Sequence, residues 1–204
     1  MFLKCLQVGP IETNCYILAD GNKAIIIDPG WDSDSILKVI ESEKLNIEYI
    51  FLTHGHADHI GALKEVKFAT NAKIAIHEKD ARMLVSSEDN LSIFFGQSIR
   101  QPSADILLKG NETFQLNNIT LEIIHTPGHT PGGISIKVND IVFTGDALFA
   151  GSIGRTDFPG GSYNELIESI KEKLLPLGDD VTILPGHGEQ STIGNERKMN
   201  PFLK

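Results

Sequence analysis

The chain has few cysteines and no long run of apolar residues. Cys5 and Cys15 are the only cysteines among 204 residues, which is too few for a framework of disulfide bonds. Both fall in segments with the pattern of strands, so we expect two buried free thiols. Residues 1–8 lack the basic region and the cleavage site of a secretory signal, and no segment has the length of a membrane span. We therefore expect a cytoplasmic protein without a membrane partner.

Positive charge is also scarce. Lys and Arg number 18 against 27 Asp and Glu, so the net charge is −9. This balance argues against a general affinity for nucleic acid or for anionic membranes. The length, the 41% of hydrophobic residues and the 22% of charged residues are ordinary for a soluble protein with one sizeable core. We expect a single domain over residues 1–204 with no nucleic-acid partner, and the oligomeric state stays open.

Gly and Pro divide the chain into short strands and helices. The hydrophobic pattern predicts strands at 2–8, 15–19, 24–27, 47–52, 73–76, 106–108, 119–125, 134–138, 141–144 and 181–184. Helices are predicted at 33–44, about 58–67 and 77–85, and from a capping box at Ser162 to Leu174. Residues 86–104, with Phe94 and Phe95, are irregular and could cover a pocket. Two strand-rich halves with helices predict an α/β (α+β) fold in which helices flank two packed sheets.

Metal-binding side chains are concentrated in one short segment. Thr53-His-Gly-His-Ala-Asp-His59 places three of the seven histidines and one carboxylate within six positions. The four donors alternate with small or non-coordinating residues, so one loop could present ligands to two metal ions. Imidazole and carboxylate donors without a thiolate suit zinc, iron or manganese better than a Cys-rich structural zinc site. The segment therefore predicts a metalloenzyme.

Three further donors also follow predicted strands. His129 comes after the strand ending at residue 125, Asp146 after the one ending at 144, and His187 after the one ending at 184. Each of the three lies next to a glycine. Strand ends hold side chains rigidly, and glycine lets the backbone turn sharply close to an ion. These donors are therefore expected to complete the site that the first loop begins.

The ordered motifs resemble those of the metallo-β-lactamase superfamily. They are Thr53–His59, Gly-His129, Gly-Asp146 and Pro-Gly-His187, and they cover nearly the whole chain. The resemblance implies an αββα sandwich of two packed mixed sheets flanked by helices, with the metal site at one edge of the sheets. His125-Thr-Pro-Gly-His-Thr-Pro-Gly and Gly-Asp-Ala-Leu-Phe149 resemble the hydroxyacylglutathione hydrolases, the glyoxalase II group. Longer members add a helical domain that the residues after His187 do not supply, so the similarity is to short, single-domain proteins.

The resemblance also implies a division of the ligands between two divalent ions, zinc with iron or manganese as alternatives. The first ion would be held by His54, His56 and His129. The second would be held by Asp58, His59 and His187, with Asp146 bridging the two. Such a pair of ions would stabilise a bridging hydroxide at neutral pH.

The implied reaction is hydrolysis of a small-molecule acyl thioester such as S-D-lactoylglutathione. The hydroxide, oriented by Asp58 as the catalytic residue, would attack the carbonyl, and the thiolate would leave without much proton assistance because thiols have a pKa of about 8.5. Asp28 resembles a position that hydrogen-bonds a metal ligand, although an Asx turn explains it equally well. Arg155 would bind a substrate carboxylate, although a pair with Asp157 is an equal alternative.

Other functions remain open. Gly154-Arg-Thr-Asp-Phe158 also resembles persulfide dioxygenases of the same superfamily, which use one iron on two histidines and a carboxylate, here His54, His129 and Asp146. A metallohydrolase of another ester, a lactone or a phosphodiester is a second alternative. The missing export signal argues against a β-lactamase, and the intact ligand set argues against a degenerate scaffold protein. His125 is expected to support the site without binding metal, and His77 to lie at the surface or to cap a helix.

Overall fold

Two six-stranded sheets form the centre of the structure, a computed structural model that describes residues 1–204. The first sheet consists, in spatial order, of β1 (Phe2–Val8), β2 (Thr13–Asp20), β3 (Lys23–Ile27), β4 (Asn46–Phe51), β5 (Lys73–His77) and β6 (Ile106–Leu108). The β1–β2 and β2–β3 pairs are antiparallel, whereas β3 to β6 run parallel. α-Helices connect β3 to β4 and β4 to β5, whereas an irregular segment with two 3₁₀ turns connects β5 to β6.

The second sheet comes from the other half of the chain. Its strands are β7 (Thr113–Leu116), β8 (Ile119–His125), β9 (Ile134–Val138), β10 (Ile141–Gly145), β13 (Thr182–Pro185) and β14 (Ser191–Thr192), while β11 (Leu148–Phe149) and β12 (Ser152–Ile153) pair as a separate hairpin. The spatial order is β14-β13-β10-β9-β8-β7, and only β10 and β13 are parallel. A hairpin at Asn139-Asp140 joins β9 to β10, with Asn139 at a φ of 49°.

The two sheets pack face to face and helices cover their outer faces. Along β3, Ile25 and Ile27 belong to the core between the sheets, whereas Ala24 and Ile26 face the helices, as the two-residue period of a strand requires. The first sheet is covered by α1 (Ser33–Ser42), α2 (Ala57–Ile60) and α3 (Leu63–Thr70), and the second by α4 (Tyr163–Ser169) and α5 (Ile193–Met199). The predicted αββα sandwich is confirmed. None of the helices combines the length and the hydrophobicity that a membrane crossing requires.

The ends of several strands meet at one edge of the sandwich. In the first sheet, β3 and β4 are parallel, and in the second β8, β10 and β13 run in one direction. The backbone N–H of Ile134 donates to the carbonyl oxygen of Thr53 at 2.8 Å and links the two sheets there. Gly145 has a φ of +49°, and a Cβ at this position would lie 2.5 Å from the Cβ of Thr53. Glycine is therefore required for the close approach of the sheets.

Two predicted helices differ in the structure. The helix expected over about 58–67 is two helices, α2 and α3, separated by a turn at Gly61 and Ala62. A Cβ at Gly61 would lie 2.1 Å from the carbonyl oxygen of Gly30, so glycine is needed where this turn packs against the loop after β3. The helix predicted at 77–85 is wrong. His77 ends β5, and only Ala81–Leu84 form a 3₁₀ turn. The buried Asp80 accepts hydrogen bonds from the distant loop at 130–132, and these contacts determine the local conformation.

Other differences come from short elements and sheet edges. Strands β7, β11, β12 and β14 and helix α5 were not expected, because segments of two to seven residues carry little periodic signal. Cys15 is buried as predicted, but Cys5 is exposed. Cys5 lies on β1, which is the edge strand of its sheet and has one face in solvent. The predicted N-cap at Ser162 is confirmed, since its hydroxyl accepts the backbone N–H of Glu165. The reciprocal bond of a capping box is not formed, because the backbone N–H of Ser162 donates to the carbonyl oxygen of Gly128.

The rings of His77 and His125 stack across the two sheets, at the ends of β5 and β8. Their centroids are 4.1 Å apart and their planes differ by 10°. His77 is buried, so the predicted surface or capping position is wrong. The Nε2–H of His125 donates to the carbonyl oxygen of Pro131 at 2.9 Å, so that this ring supports the loop that follows β8. Burial lowers the pKa of both rings, and each therefore stays neutral in the folded protein.

The free energy of unfolding is expected to depend on pH through this stack. A folded-state pKa below the ordinary value of about 6.5 means that the unfolded chain binds more protons, so stability is complete above that pH and falls below it. Each group contributes at most about 1.4 kcal/mol per pH unit. Urea unfolding of the wild type and of His77→Phe between neutral and mildly acidic pH measures the effect. The variant should lose less stability on acidification, and equal slopes would contradict the prediction.

Candidate metal centre

The loop after β4 carries four of the predicted ligands into the edge where the sheets meet. His54, His56 and His59 are buried, and Asp58 is half-buried. The chain turns at His56 and then enters α2, so that Asp58 and His59 lie in the first turn of that short helix. This turn directs all four side chains toward the second sheet, where the remaining donors lie.

The other three predicted ligands follow strands of the second sheet. His129 lies after β8, Asp146 directly after β10 and His187 two residues after the end of β13. Asp146 is central, since its carboxylate oxygens lie 3.4 Å from Nε2 of His59, 3.6 Å from Nε2 of His129 and 3.7 Å from Nε2 of His187. A Cβ at Gly186 would lie 2.3 Å from Oδ1 of Asp146, so only glycine lets the chain pass here.

The donor atoms form two groups of three that Asp146 connects. The atoms within each group lie within 4.8 Å of one another, and the groups are His54, His56 and His129, and Asp58, His59 and His187. A third group of the same size consists of His54, His59 and Asp146. The structure thus brings all seven predicted residues together. Two of the groups have the membership that the resemblance implies, and the assignment of ligands to two ions stays a prediction.

A buried hydrogen-bond network on Asp28 orients His54 and His59. Oδ2 of Asp28 accepts the hydroxyl of Thr53 at 2.6 Å and Nδ1–H of His59 at 2.9 Å, while Oδ1 accepts the backbone N–H of Thr53 at 2.7 Å. Because the Thr53 hydroxyl donates to Asp28, it must accept Nδ1–H of His54, which lies 3.1 Å away. Nδ1 of each ring is held by this network, and Nε2 of each ring points into the cluster, where it could bind a metal ion.

Backbone carbonyl groups orient His129 and His187 in the same way. Nδ1 of His129 donates to the carbonyl oxygen of Arg155 at 2.7 Å, and Nδ1 of His187 to that of Ile11 at 3.3 Å. In both rings Nε2 points into the cluster, where it lies 2.9 Å from Nδ1 of His56 for His129 and 3.1 Å from Oδ2 of Asp58 for His187. These carbonyl groups could not be predicted from the sequence, because they come from loops 26 and 176 residues away.

Asp80 and Thr13 also support the cluster, and the sequence did not indicate either. Asp80 is fully buried and accepts the hydroxyl of Thr130 at 2.6 Å and the backbone N–H of Gly132 at 2.7 Å, which holds the loop of His129. The hydroxyl of Thr13 donates to Oδ2 of Asp58 at 3.3 Å. Neither residue lies near a predicted metal ligand in the sequence, so no local pattern indicated a role for them.

The cluster fits divalent metal ions. Nε2 of His54 and Oδ1 of Asp146 are buried and have no hydrogen-bond partner, although buried polar atoms normally have one. A cation bound to these atoms would satisfy both. Burial lowers the pKa of His54, and lowers that of His56 to about 3, so both imidazoles are neutral. Burial would raise the pKa of Asp146, but the neighbouring His59, His129 and His187 together outweigh it, so that the pKa is lowered and this carboxylate is ionised. Neutral imidazoles and carboxylates are the forms that bind metal.

The cluster lies at the bottom of an open cavity of about 430 Å³. Its polar floor includes His56, Asp58 and His187. Its walls are mostly apolar and include Ile11, Leu91, Phe95, Phe149, Ile153 and Phe158. The site therefore combines concentrated metal-binding groups with a surface that suits the apolar part of a small molecule.

Arg155 lines this cavity, but its guanidinium is paired. Nε and Nη2 each lie 2.7 Å from a carboxylate oxygen of Asp157, and the guanidinium lies over the ring of Phe158 at 3.9 Å. Arg155 thus forms the ion pair with Asp157, which was the alternative to binding a substrate carboxylate. Both side chains are largely exposed, so the pair contributes little to stability. A role for Arg155 in substrate binding stays a prediction.

Comparison with known proteins decides the family. The sequence pattern described as the Metallo-beta-lactamase superfamily matches residues 8–187. The chain belongs to this superfamily. Hydroxyacylglutathione hydrolase GloC of Haemophilus influenzae is 40% identical, over 100% of this chain and 98% of the relative. The probable metallo-hydrolase YqgX of Bacillus subtilis is 38% identical, over 97% of this chain and 95% of the relative.

Solved structures of superfamily members agree with the fold. The crystal structure of the BLEG-1 B3 metallo-beta-lactamase superposes with a TM-score of 0.95 at 37% identity, over the full length of both chains. The chain therefore matches these proteins over nearly their whole length and shares the fold of the solved structure. The member of the superfamily described here is thus a metal-dependent hydrolase in its general class.

Proposed function

We propose that the protein hydrolyses small-molecule acyl thioesters with two divalent metal ions, zinc or alternatively iron or manganese. The observation that carries the proposal is the pair of three-donor groups joined by Asp146 at the bottom of the 430 Å³ cavity. When bound, two such ions would lower the pKa of water and polarise an acyl carbonyl oxygen. The hydroxyacylglutathione hydrolase among the relatives makes S-D-lactoylglutathione the first substrate to test.

The carboxylate of Asp58 is suited to orient the attacking water. Burial would raise its pKa, but His59 and His187 outweigh the burial and hold the pKa well below its ordinary value. Asp58 therefore remains a hydrogen-bond acceptor at neutral pH. It also faces the cavity, next to the place where a substrate carbonyl would lie. The Asp28–Thr53 network keeps His54 and His59 in one orientation, so the donors need little rearrangement.

The ionised carboxylates of the site indicate which leaving group it suits. Both carboxylates among the proposed ligands, Asp58 and Asp146, stay ionised, so neither supplies a proton to a leaving group. A thiolate needs no such proton at neutral pH, because thiols have a pKa of about 8.5. Thioesters therefore suit this cavity better than amides or alkyl esters, whose leaving groups are far more basic.

Removal of metal tests the proposal. Dialysis against a chelator such as dipicolinate should abolish hydrolysis of S-D-lactoylglutathione, and zinc, iron or manganese should restore it at about two ions per chain. The protein as purified, without a tag near the site, provides the reference. Full hydrolysis by the metal-free protein would contradict the proposal. A single iron with oxygen uptake on glutathione persulfide would instead establish the dioxygenase alternative.

A further inference from the structure

A second, smaller hollow of about 70 Å³ adjoins the cavity of the metal centre. It lies between the turn at Pro10-Ile11, the ring of Trp31 and the segment 92–99. The two spaces share Ile11, Ala57, Asp58 and Phe95 in their walls, so they are continuous. A molecule at the metal centre can therefore extend past Asp58 into the hollow.

We propose that this hollow is a subsite for an unbranched apolar acyl chain of the substrate. The inference rests on the proposed thioester hydrolysis and specifies which acyl groups that site prefers. The lining supports it, since Pro10, Ile11, Trp31, Ala57, Phe95 and Ile99 are apolar and only Asp58, Ser92 and Gln97 are polar. Asp58 lies at the junction with the cavity, where the carbonyl end of the chain would be.

Charge supports the same occupant. Among the residues that line the cavity or the hollow, Arg155 is the only Lys or Arg, and Asp157 occupies its guanidinium. The hollow itself is lined by no Lys or Arg, and its one charged side chain is the carboxylate of Asp58 at the junction with the cavity. An acyl group with a carboxylate at its far end would find no cationic side chain in the hollow, whereas an apolar chain needs none.

Apolar side chains in the walls of the cavity and the hollow are exposed to water. Ile11 is 52% exposed and Phe95 is 68% exposed, and both lie where the cavity and the hollow join. A chain between them would remove apolar surface of the protein and of the substrate from water. Each added methylene is then expected to strengthen binding by up to about fourfold until the hollow is full.

Phe94 and Phe95 provide a matched pair of variants. They are neighbours in one 3₁₀ turn, Ser92–Phe95, and are similarly exposed, at 71% and 68%. Phe95 lines the proposed subsite, whereas Phe94 faces a separate hollow beside Lys79 and Arg82. Phe95→Ser therefore removes a wall of the subsite, and Phe94→Ser is a control of equal chemistry.

Binding of the reaction products tests the subsite without turnover. Trp31 is the only tryptophan and lines the hollow, so its fluorescence reports occupation. Acetate, butyrate, hexanoate and octanoate would be titrated into the zinc-loaded protein. Affinity should rise with chain length in the wild type and in Phe94→Ser. In Phe95→Ser, octanoate should bind at least about tenfold more weakly while acetate is unchanged.

Two results would overturn the subsite: affinities independent of chain length, or equal losses in the two variants. Hydrolysis of the matching acyl thioesters of N-acetylcysteamine separates this inference from the proposed function. Hydrolysis whose kcat/KM does not vary with chain length would refute the subsite and leave the function intact. A chain-length series in binding, with no hydrolysis of any thioester, would refute the function and retain the apolar subsite.

Discussion

His56→Ala should remove one of the two proposed ions and reduce thioester hydrolysis by at least about 100-fold. Nδ1 of His56 lies 2.9 Å from Nε2 of His129, within the group of donors that also includes His54. Loss of residues that only support a ligand typically costs 10- to 100-fold in metal affinity or activity, so loss of a ligand should cost about that or more. Elemental analysis and kcat/KM for S-D-lactoylglutathione measure the two effects.

The same variant distinguishes the two-metal hydrolase from the one-iron dioxygenase. His56 is outside the set of His54, His129 and Asp146 that the dioxygenase alternative requires, so a one-iron enzyme would keep its metal. His77→Phe is the control, because it changes a buried histidine outside the cluster and should leave two ions bound. Full hydrolytic activity in His56→Ala would refute the two-metal mechanism.

Asp28→Asn should destabilise the protein by about 2–4 kcal/mol and weaken metal binding about 10- to 100-fold. Asp28 accepts three buried hydrogen bonds, one from the Thr53 backbone, one from the Thr53 hydroxyl and one from His59. An amide has one acceptor oxygen, and its NH₂ group would face a donor. The positive φ of 52° at Asp28 is not an obstacle, because Asn adopts this conformation as readily.

Urea unfolding of the metal-free protein and competition with a chromophoric chelator measure the two consequences. Asp180→Asn is a matched control on an exposed aspartate, and it should change stability by less than about 0.5 kcal/mol. If Asp28→Asn retained both wild-type stability and wild-type metal affinity, the orienting role of this network would be wrong.

The donor set was predictable because its signals are local. His54, His56, Asp58 and His59 follow a short, mainly apolar run whose length and β-branched and aromatic residues predict a strand. His129, Asp146 and His187 each follow another predicted strand and lie beside a glycine. Parallel strands place their carboxyl ends at one edge of a sheet, so ligands in these positions converge. The layer order of the fold followed from the same alternation of strands and helices.

The residues around the donors were not predictable in the same way. Asp80 holds the loop of His129 across 50 residues of sequence, and His77 stacks on His125 across 48. Such contacts depend on the packing of the two sheets and leave no periodic pattern in either segment. The prediction of a helix over 77–85 was wrong for this reason, because long-range contacts outweighed the local helix propensity.

The amino-acid sequence by itself determined which side chains are available to bind metal, and hence the family and the general chemistry. Only the tertiary structure decided that four histidines present Nε2 to the cluster, that Asp157 pairs with Arg155, and that an apolar hollow opens beside Asp58. The physical reason is the range of the interactions. A ligand's identity is a property of one residue, whereas ring orientation, charge pairing and cavity shape arise where distant segments pack together.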